Sequence, residues 1–264
     1  MKIIDTHDTA WRLYLNSFAA VRQRLWPAPP ELPENYTLTD YGRFMREETF
    51  HYSVRYARRL VVIHGREHLL KAARHGGAMV AFLHHGSWIL AGGAIAHRLG
   101  LPYTVIASRR NLEIMTPEEK RFWEGAHQRI SRFYGRPMFF TDQSPRQPIK
   151  WLKKKNHVLG VVLDVREHDQ RYEEHPFQFL GHTIFMQSGP ARLARIVGVP
   201  IVPAGIQYRP RQRCHHLYFD AAVFPDRNPR NTTQELLRVL EKHVARAPQQ
   251  QFHDIIAEFG RARP

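Results

Sequence analysis

Apolar residues recur at helical spacing near the start of the chain and form short continuous runs further along. In residues 9–26, aromatic and aliphatic residues recur at a spacing that would place them on one face of a helix, with arginines among them, which predicts an amphipathic helix. Such a helix either packs on its own domain or lies at a membrane surface. Four prolines in residues 27–33 then predict an extended linker, because proline cannot continue a helix. We assign residues 1–61 to an N-terminal helical extension.

From about residue 66, helical segments alternate with short apolar strands. Strands are predicted at residues 78–83, 103–107, 158–163 and 200–208, with an edge strand at 215–224. Helices are predicted at residues 66–75, 88–99, 117–133, 147–155, 187–197, 232–247 and 249–261. This alternation is typical of an α/β fold with a mixed, mostly parallel sheet and helices on both faces. No long linker interrupts it, so residues 62–264 are assigned to one domain.

Composition and charge narrow the class of protein and its partners. With 43% hydrophobic residues in 264, the chain can bury a sizeable core, which excludes a mostly disordered protein. Its 39 Lys and Arg against 24 Asp and Glu give a net charge of +15. This charge favours an anionic partner such as nucleic acid, anionic lipid, nucleotide phosphates or an acidic carrier protein. The single cysteine, Cys214, excludes an internal disulfide and a Cys-rich metal site.

The sequence also predicts where the protein works. No run approaches the 18 apolar residues of a membrane span, and the N-terminus lacks the apolar region of a signal peptide. We therefore expect a cytoplasmic protein that can contact the inner face of the cytoplasmic membrane peripherally. No cofactor is expected, and the sequence has no Gly-x-Gly-x-x-Gly or phosphate-binding loop. No metal is expected, since the adjacent histidine pairs His84–His85 and His215–His216 lack the spacing of zinc ligands.

The stretch Leu83-His84-His85-Gly86-Ser87-Trp88 carries the strongest chemical signal. It lies where a predicted buried strand ends and a helix begins, which is where α/β sheets place ligands. The free amides of a helix N-terminus favour a developing oxyanion, and an imidazole there can remove a proton from an attacking nucleophile. The alternative is a pair of histidines that only form hydrogen bonds at a strand end.

Residues 65–69 and 76–88 resemble the core block of the lipid A late acyltransferase family, in which a strand leads into His-x-Gly-Asn-Trp-Glu. Further similar segments follow in the family's order at residues 108–111, 160–164, 177–181, 189–194, 200–203 and 248–250. The resemblance covers about residues 62–260. It implies transfer of an acyl group from a thioester, on acyl carrier protein or coenzyme A, to a hydroxyl of a glycolipid, without a covalent enzyme intermediate.

The resemblance also assigns roles to residues. It places the family's catalytic base at His84, whereas the position of the orienting acid, five residues on, is Ile89. An apolar residue cannot orient an imidazole or stabilise its cation. Another carboxylate is therefore expected to serve, with Asp164 as the first choice and Glu67 as the second. Asp164 could instead act only as a cap at the end of its strand.

The remaining site residues surround this base. Backbone amides near residues 86–88, together with Arg109 or Arg110, are expected to stabilise the tetrahedral oxyanion. Arg110 and Asn111 would also place the carbonyl or the phosphates of the donor. The residues expected to bind substrate are His85, Ser87, Trp88, Arg109, Asn111 and Glu67.

Two departures from the family leave the acceptor and the donor open. The acid is missing at Ile89, and the transmembrane anchor of typical members has no counterpart. Losing the acid affects a hydroxyl acceptor most, because a neutral amine or hydroxylamine is already nucleophilic. The basic clusters, among them residues 150–155, fit an anionic donor or a solvated face. The alternatives are an aminoacyl-tRNA-dependent aminoacyltransferase acting on a small amine or hydroxylamine, and a non-catalytic binding protein.

Overall fold

The computed structural model describes Thr37 and residues 54–109, 112, 115–165, 173–252 and 254–261. The predicted N-terminal helix and its linker lie outside the described residues, and so do Arg110 and Asn111. Every structural statement below concerns the described part of the chain.

This part contains nine strands and eight helices. The strands are β1 (Val61–His64), β2 (Ala78–Phe82), β3 (Tyr103–Ala107), β4 (Phe139–Phe140), β5 (Val158–Val162), β6 (His175–Phe179), β7 (His182–Met186), β8 (Ile201–Arg209) and β9 (Cys214–Phe219). The helices are α1 (Val54–Arg59), α2 (Arg66–Ala73), α3 (Trp88–His97), α4 (Pro117–Tyr134), α5 (Arg146–Leu152), α6 (Gly189–Val197), α7 (Pro229–Arg246) and α8 (Ile255–Phe259). None of these helices is long and apolar enough to span a bilayer.

Seven strands form one sheet in the order β1-β9-β8-β2-β5-β3-β4. All neighbouring strands are parallel except β8 and β9, which are antiparallel. The predicted α/β fold with a mixed, mostly parallel sheet is therefore confirmed. β6 and β7 form a separate antiparallel hairpin.

Side chains alternate between the two faces of the central strands, so each face has its own apolar core. In β2, Val80 and Phe82 belong to the core covered by α1–α4, whereas Met79 and Ala81 belong to the core covered by α5–α8 and the hairpin. Continuous burial of β2 on both faces explains why it is an uninterrupted apolar run in the sequence. The central strands are thus packed on both faces up to the edge where they end at the site described below.

Some predicted elements are wrong in detail. The strand predicted at residues 215–224 is not an edge strand, because β1 pairs with β9 on one side and β8 on the other. The helix predicted at residues 249–261 is a 3₁₀ turn at Pro248–Gln250 followed by the shorter α8. The hairpin β6–β7 was not predicted. α1 packs its buried Tyr56 and Ala57 into the core of the sheet, while the boundary near residue 62 stays a prediction.

Candidate active site

The register of the sheet brings the end of β2 beside the end of β5. Phe82 pairs with Val162 in parallel, so His84 and Asp164 each lie two residues beyond the last pair on neighbouring strands. Parallel neighbours lie about 4.8 Å apart, and their carboxyl ends meet at the same edge of the sheet. The two residues are 80 positions apart in sequence and adjacent in space.

The Asp164 carboxylate contacts both the backbone and the side chain of His84. It accepts the His84 backbone N–H at 2.9 and 3.0 Å through its two oxygens, and its Oδ1 lies 3.2 Å from the His84 Nδ1. The Asp164 side chain is fully buried, whereas 20% of the His84 side chain is exposed. The His84 Nδ1 also lies 3.3 Å from the backbone carbonyl oxygen of Asp164. Carbonyl and carboxylate oxygens only accept hydrogen bonds, so both contacts favour the tautomer with the proton on Nδ1 and the lone pair on Nε2.

The position that holds the acid in the resembling family is part of the core in this chain. Ile89 lies in the first turn of α3 and is 7% exposed. Its carbonyl oxygen accepts a hydrogen bond from the Tyr134 hydroxyl at 3.0 Å. The apolar residue at the family's acid position therefore lies in an apolar environment. The carboxylate beside His84 comes instead from Asp164, which follows β5.

The loop between β2 and α3 is shaped by Gly86. Its φ is +65°, in the left-handed region, and a Cβ atom there would lie 1.7 Å from the carbonyl oxygen of Ile206 on β8. The Gly86 N–H donates to the Gln250 carbonyl oxygen at 2.9 Å. The Gly86 amide thus already has a partner within the protein, and the amides of Ser87 and Trp88 at the start of α3 are the better candidates for stabilising an oxyanion.

Two aromatic rings border His84. The Trp88 ring meets the imidazole edge to face with 4.6 Å between the ring centroids, and the Phe252 ring lies 6.0 Å from it. Trp88 and Phe252 also contact each other at 5.6 Å. Phe252 is 51% exposed, so it offers apolar surface beside the imidazole. Phe252 was not predicted as a site residue, although the similar segment at residues 248–250 ends just before it.

His85 has surroundings very different from those of His84. It is 3% exposed, and its Nε2 lies 2.8 Å from the carbonyl oxygen of Ala247, to which it donates. Burial lowers the pKa of His85 to about 4, so the ring is neutral at physiological pH. His85 thus anchors the loop to the C-terminal segment, and a substrate would reach it only if the loop moved. Ser87 is also buried, at 2% exposure.

The other predicted residues are distributed around the sheet. Arg109 follows β3 at the same edge as His84, with β5 between them; its guanidinium lies 3.9 Å from the centre of the Phe140 ring and 4.0 Å from the Asp142 carboxylate. Glu67 is exposed at the start of α2 and follows β1, which runs antiparallel to β2. Asp164, not Glu67, is therefore the carboxylate that contacts His84.

The lysine cluster lies away from this site. Lys153, Lys154 and Lys155 are exposed and precede β5, whereas Asp164 follows that strand. A strand of five residues spans roughly 16 Å, so these lysines occupy the opposite edge of the sheet. Within the described residues, no three His, Cys, Asp or Glu side chains are grouped in a way that could hold a metal ion.

A His–Asp pair at the carboxyl edge of a mostly parallel sheet, beside a helix N-terminus, defines an α/β protein equipped for acid–base chemistry. The model of the bacterial lipid A biosynthesis acyltransferases matches residues 36–253, which are 218 of the 264 residues, and the chain belongs to this family. It is therefore an acyltransferase, in agreement with the resemblance of its motifs. A search of curated proteins found no significant match.

Proposed function

We propose that this protein transfers an acyl group from a thioester, carried by acyl carrier protein or coenzyme A, to a hydroxyl acceptor. The observation that carries the proposal is the contact between His84 and the buried carboxylate of Asp164. Family membership supports acyl transfer, and the net charge of +15 supports an anionic donor.

In the proposed reaction, His84 is the general base and Asp164 orients it. Nε2 of His84 removes the acceptor's proton as the acceptor oxygen attacks the thioester carbon. The resulting tetrahedral intermediate collapses, the carbon–sulfur bond breaks, and the imidazolium returns the proton to the leaving thiolate. The acyl group passes directly to the acceptor, with no covalent bond to the enzyme. Asp164 favours the imidazolium form that exists between the two proton transfers.

The carboxylate of Asp164 bears directly on the choice of acceptor. In the sequence, the absence of an acid at position 89 favours an amine as the acceptor, because an imidazole without a carboxylate partner is a weak base for deprotonating a hydroxyl. Asp164 lies 3.2 Å from Nδ1 and can give the support that Ile89 cannot. A hydroxyl acceptor is therefore the better assignment, and an amine acceptor becomes an outcome of the test.

Groups at the start of α3 complete the proposed site. Ser87 is the N-cap of a ten-residue helix and Trp88 is its first residue, so their amides lie at the end where the helix dipole favours negative charge. They are the proposed donors to the oxyanion. Arg109 lies at the same edge and is 47% exposed, so it can approach an anionic group of the donor.

The first experiment measures the release of free thiol from acyl-carrier-protein and acyl-coenzyme A thioesters of several chain lengths. Each donor is incubated with the protein and with either a glycolipid that has free hydroxyls or a panel of amines. We expect release that depends on the hydroxyl acceptor and falls by about 10²–10⁴-fold in His84→Ala. His182→Ala is the matched control, since His182 is an exposed histidine on the hairpin.

Each other outcome contradicts a definite part of the proposal. Full activity of His84→Ala would exclude His84 as the base. Release that requires an amine would overturn the assignment of the acceptor. Transfer only from aminoacyl-tRNA would overturn the assignment of the donor, and no transfer from any donor would favour a binding protein.

A further inference from the structure

The strand β8 continues past the end of its neighbour β2. The register pairs Ala81 with Pro203, so the last residue of β2 is level with Ala204, whereas β8 runs on to Arg209. Tyr208 therefore lies beyond the reach of β2. A side chain takes the place of the missing strand: Oε1 of Gln250 accepts the Tyr208 N–H at 2.9 Å, and Nε2 of Gln250 donates to the Tyr208 carbonyl oxygen at 2.9 Å.

The backbone of the same short segment holds the loop that carries His84. The Gln250 carbonyl oxygen accepts the Gly86 N–H at 2.9 Å, and the Phe252 N–H donates to the His84 carbonyl oxygen at 2.7 Å. Between these two bonds, His85 and Gln251 form an antiparallel bridge. The segment 250–252 thus joins β8 on one side to the His84 loop on the other, and Gln250, at 1% exposure, is its buried anchor.

We infer that Gln250 is a positioning residue for His84. Asp164 holds the His84 amide and Nδ1 from the side of β5, and segment 250–252 holds the His84 carbonyl and the Gly86 amide from the side of β8. The imidazole is therefore fixed between two independent supports. A displacement of about 1 Å at a reacting group can lower a rate about 10²-fold, so the second support has a kinetic consequence. This inference rests on the proposed role of His84.

The test replaces Gln250 by methionine, which keeps the volume and removes both hydrogen bonds to Tyr208. We expect kcat to fall about 10- to 100-fold while KM changes by less than about threefold, because positioning acts on the chemical step. Gln207→Met is the matched control. Gln207 is also fully buried; its Nε2 donates to the His243 carbonyl oxygen at 2.9 Å, and its Oε1 accepts from Arg209 at 3.0 Å. Its replacement therefore also removes two hydrogen bonds, neither of which goes to the loop or to segment 250–252.

A conservative variant separates positioning from a general loss of stability. Burial favours the neutral form of a carboxylic acid, so Gln250→Glu can accept from the Tyr208 N–H and donate to its carbonyl oxygen as the amide does. We expect this variant to recover most of the activity lost in Gln250→Met. An equal loss of kcat in Gln250→Met and Gln207→Met would overturn the inference, and so would a full kcat in Gln250→Met.

Hydrogen exchange makes the inference testable even if the proposed function fails. The Gly86 amide is bonded to Gln250, so its exchange should quicken in Gln250→Met and stay unchanged in Gln207→Met. If His84→Ala proves fully active, the proposed base is wrong, whereas faster exchange at Gly86 would still support the role of Gln250 in holding the loop. Unchanged exchange at Gly86 would overturn the positioning role, whatever the activity of His84→Ala.

Discussion

Replacing Asp164 by asparagine removes a charge and changes little else in shape. Opposite unit charges at the observed 3.2 Å interact by about 5 kcal/mol at an effective dielectric constant of 20. Solvent screens part of this interaction, because the His84 side chain is 20% exposed, so the cost of removing the charge is smaller. A net loss of about 3–4 kcal/mol in the transition state lowers kcat about 10²–10³-fold. The backbone carbonyl oxygen of residue 164, 3.3 Å from Nδ1, is kept in this variant and still favours the proton on Nδ1, so the loss reports mainly the missing charge.

The assay is acceptor-dependent thiol release at saturating donor, with urea unfolding measured on the same samples. Asp220→Asn is the matched control, because Asp220 also contacts a buried histidine: its Oδ2 lies 2.6 Å from Nε2 of His243. The Asp220 N–H donates to Pro203 of β8, which pairs with Ala81, so Asp220 lies before the edge of the sheet that carries His84. We expect Asp220→Asn to keep the wild-type kcat. A folded Asp164→Asn with kcat within about threefold of wild type would refute the role of the carboxylate.

Three further predictions concern the loop and its surroundings. Gly86→Ala should destabilise the protein by about 1–3 kcal/mol and lower activity more than tenfold, because the new Cβ would clash with the carbonyl oxygen of Ile206 on β8. Gly100 has a similar φ and no neighbour within 4 Å of such a Cβ, so Gly100→Ala should keep its activity. Equal losses of activity in the two variants would contradict the clash. Since burial lowers the pKa of His85 from 6.5 to about 4, the unfolded chain binds a proton first as the pH falls. The free energy of unfolding should therefore decrease from pH 6.5 towards 4, by up to about 3 kcal/mol, in urea titrations; an equal decrease in His85→Gln would contradict this. Phe252→Ala should lower kcat/KM about tenfold with little change in stability, because it removes exposed apolar surface beside His84. Phe224, which is more exposed, is the control, and Phe224→Ala should keep the wild-type kcat/KM. Equal kcat/KM in the two variants would exclude a contact between Phe252 and the substrate.

The sequence predicts the centre of the fold and the neighbourhood of the site. β2 and β5 are almost entirely buried and β3 is buried at its start, so each is visible as a mainly apolar run; Gly77 precedes β2, and Pro102 precedes β3. A polar residue after such a run lies at the carboxyl edge of the sheet. This is why Asp164 could be chosen as the carboxylate nearest His84, before the register of β2 and β5 was known.

The parts that the sequence does not predict depend on contacts between distant segments. β1 has only four residues, too few for a periodic pattern, yet it covers β9 and removes that strand from the edge. The segment 250–252 has no strand pattern of its own, because the side-chain amide of Gln250 bonds to the backbone of Tyr208 and the segment's backbone bonds to a loop more than 160 residues earlier. Local propensity carries no information on such pairings.

The location of the carboxylate explains how this chain can lack an acid at position 89. An acid there would belong to the first turn of α3, whereas Asp164 ends the strand next to β2, and both positions border the loop of His84. Ile89 is packed in the core, and its carbonyl oxygen is bonded to Tyr134. A carboxylate at position 89 would be buried there, whereas the buried carboxylate of Asp164 accepts a hydrogen bond from the His84 amide. The backbone bond to the loop makes Asp164 part of the framework as well as a neighbour of the imidazole. A single buried carboxylate can therefore both shape the loop and polarise its histidine, which is the combination that the proposed acyl transfer requires.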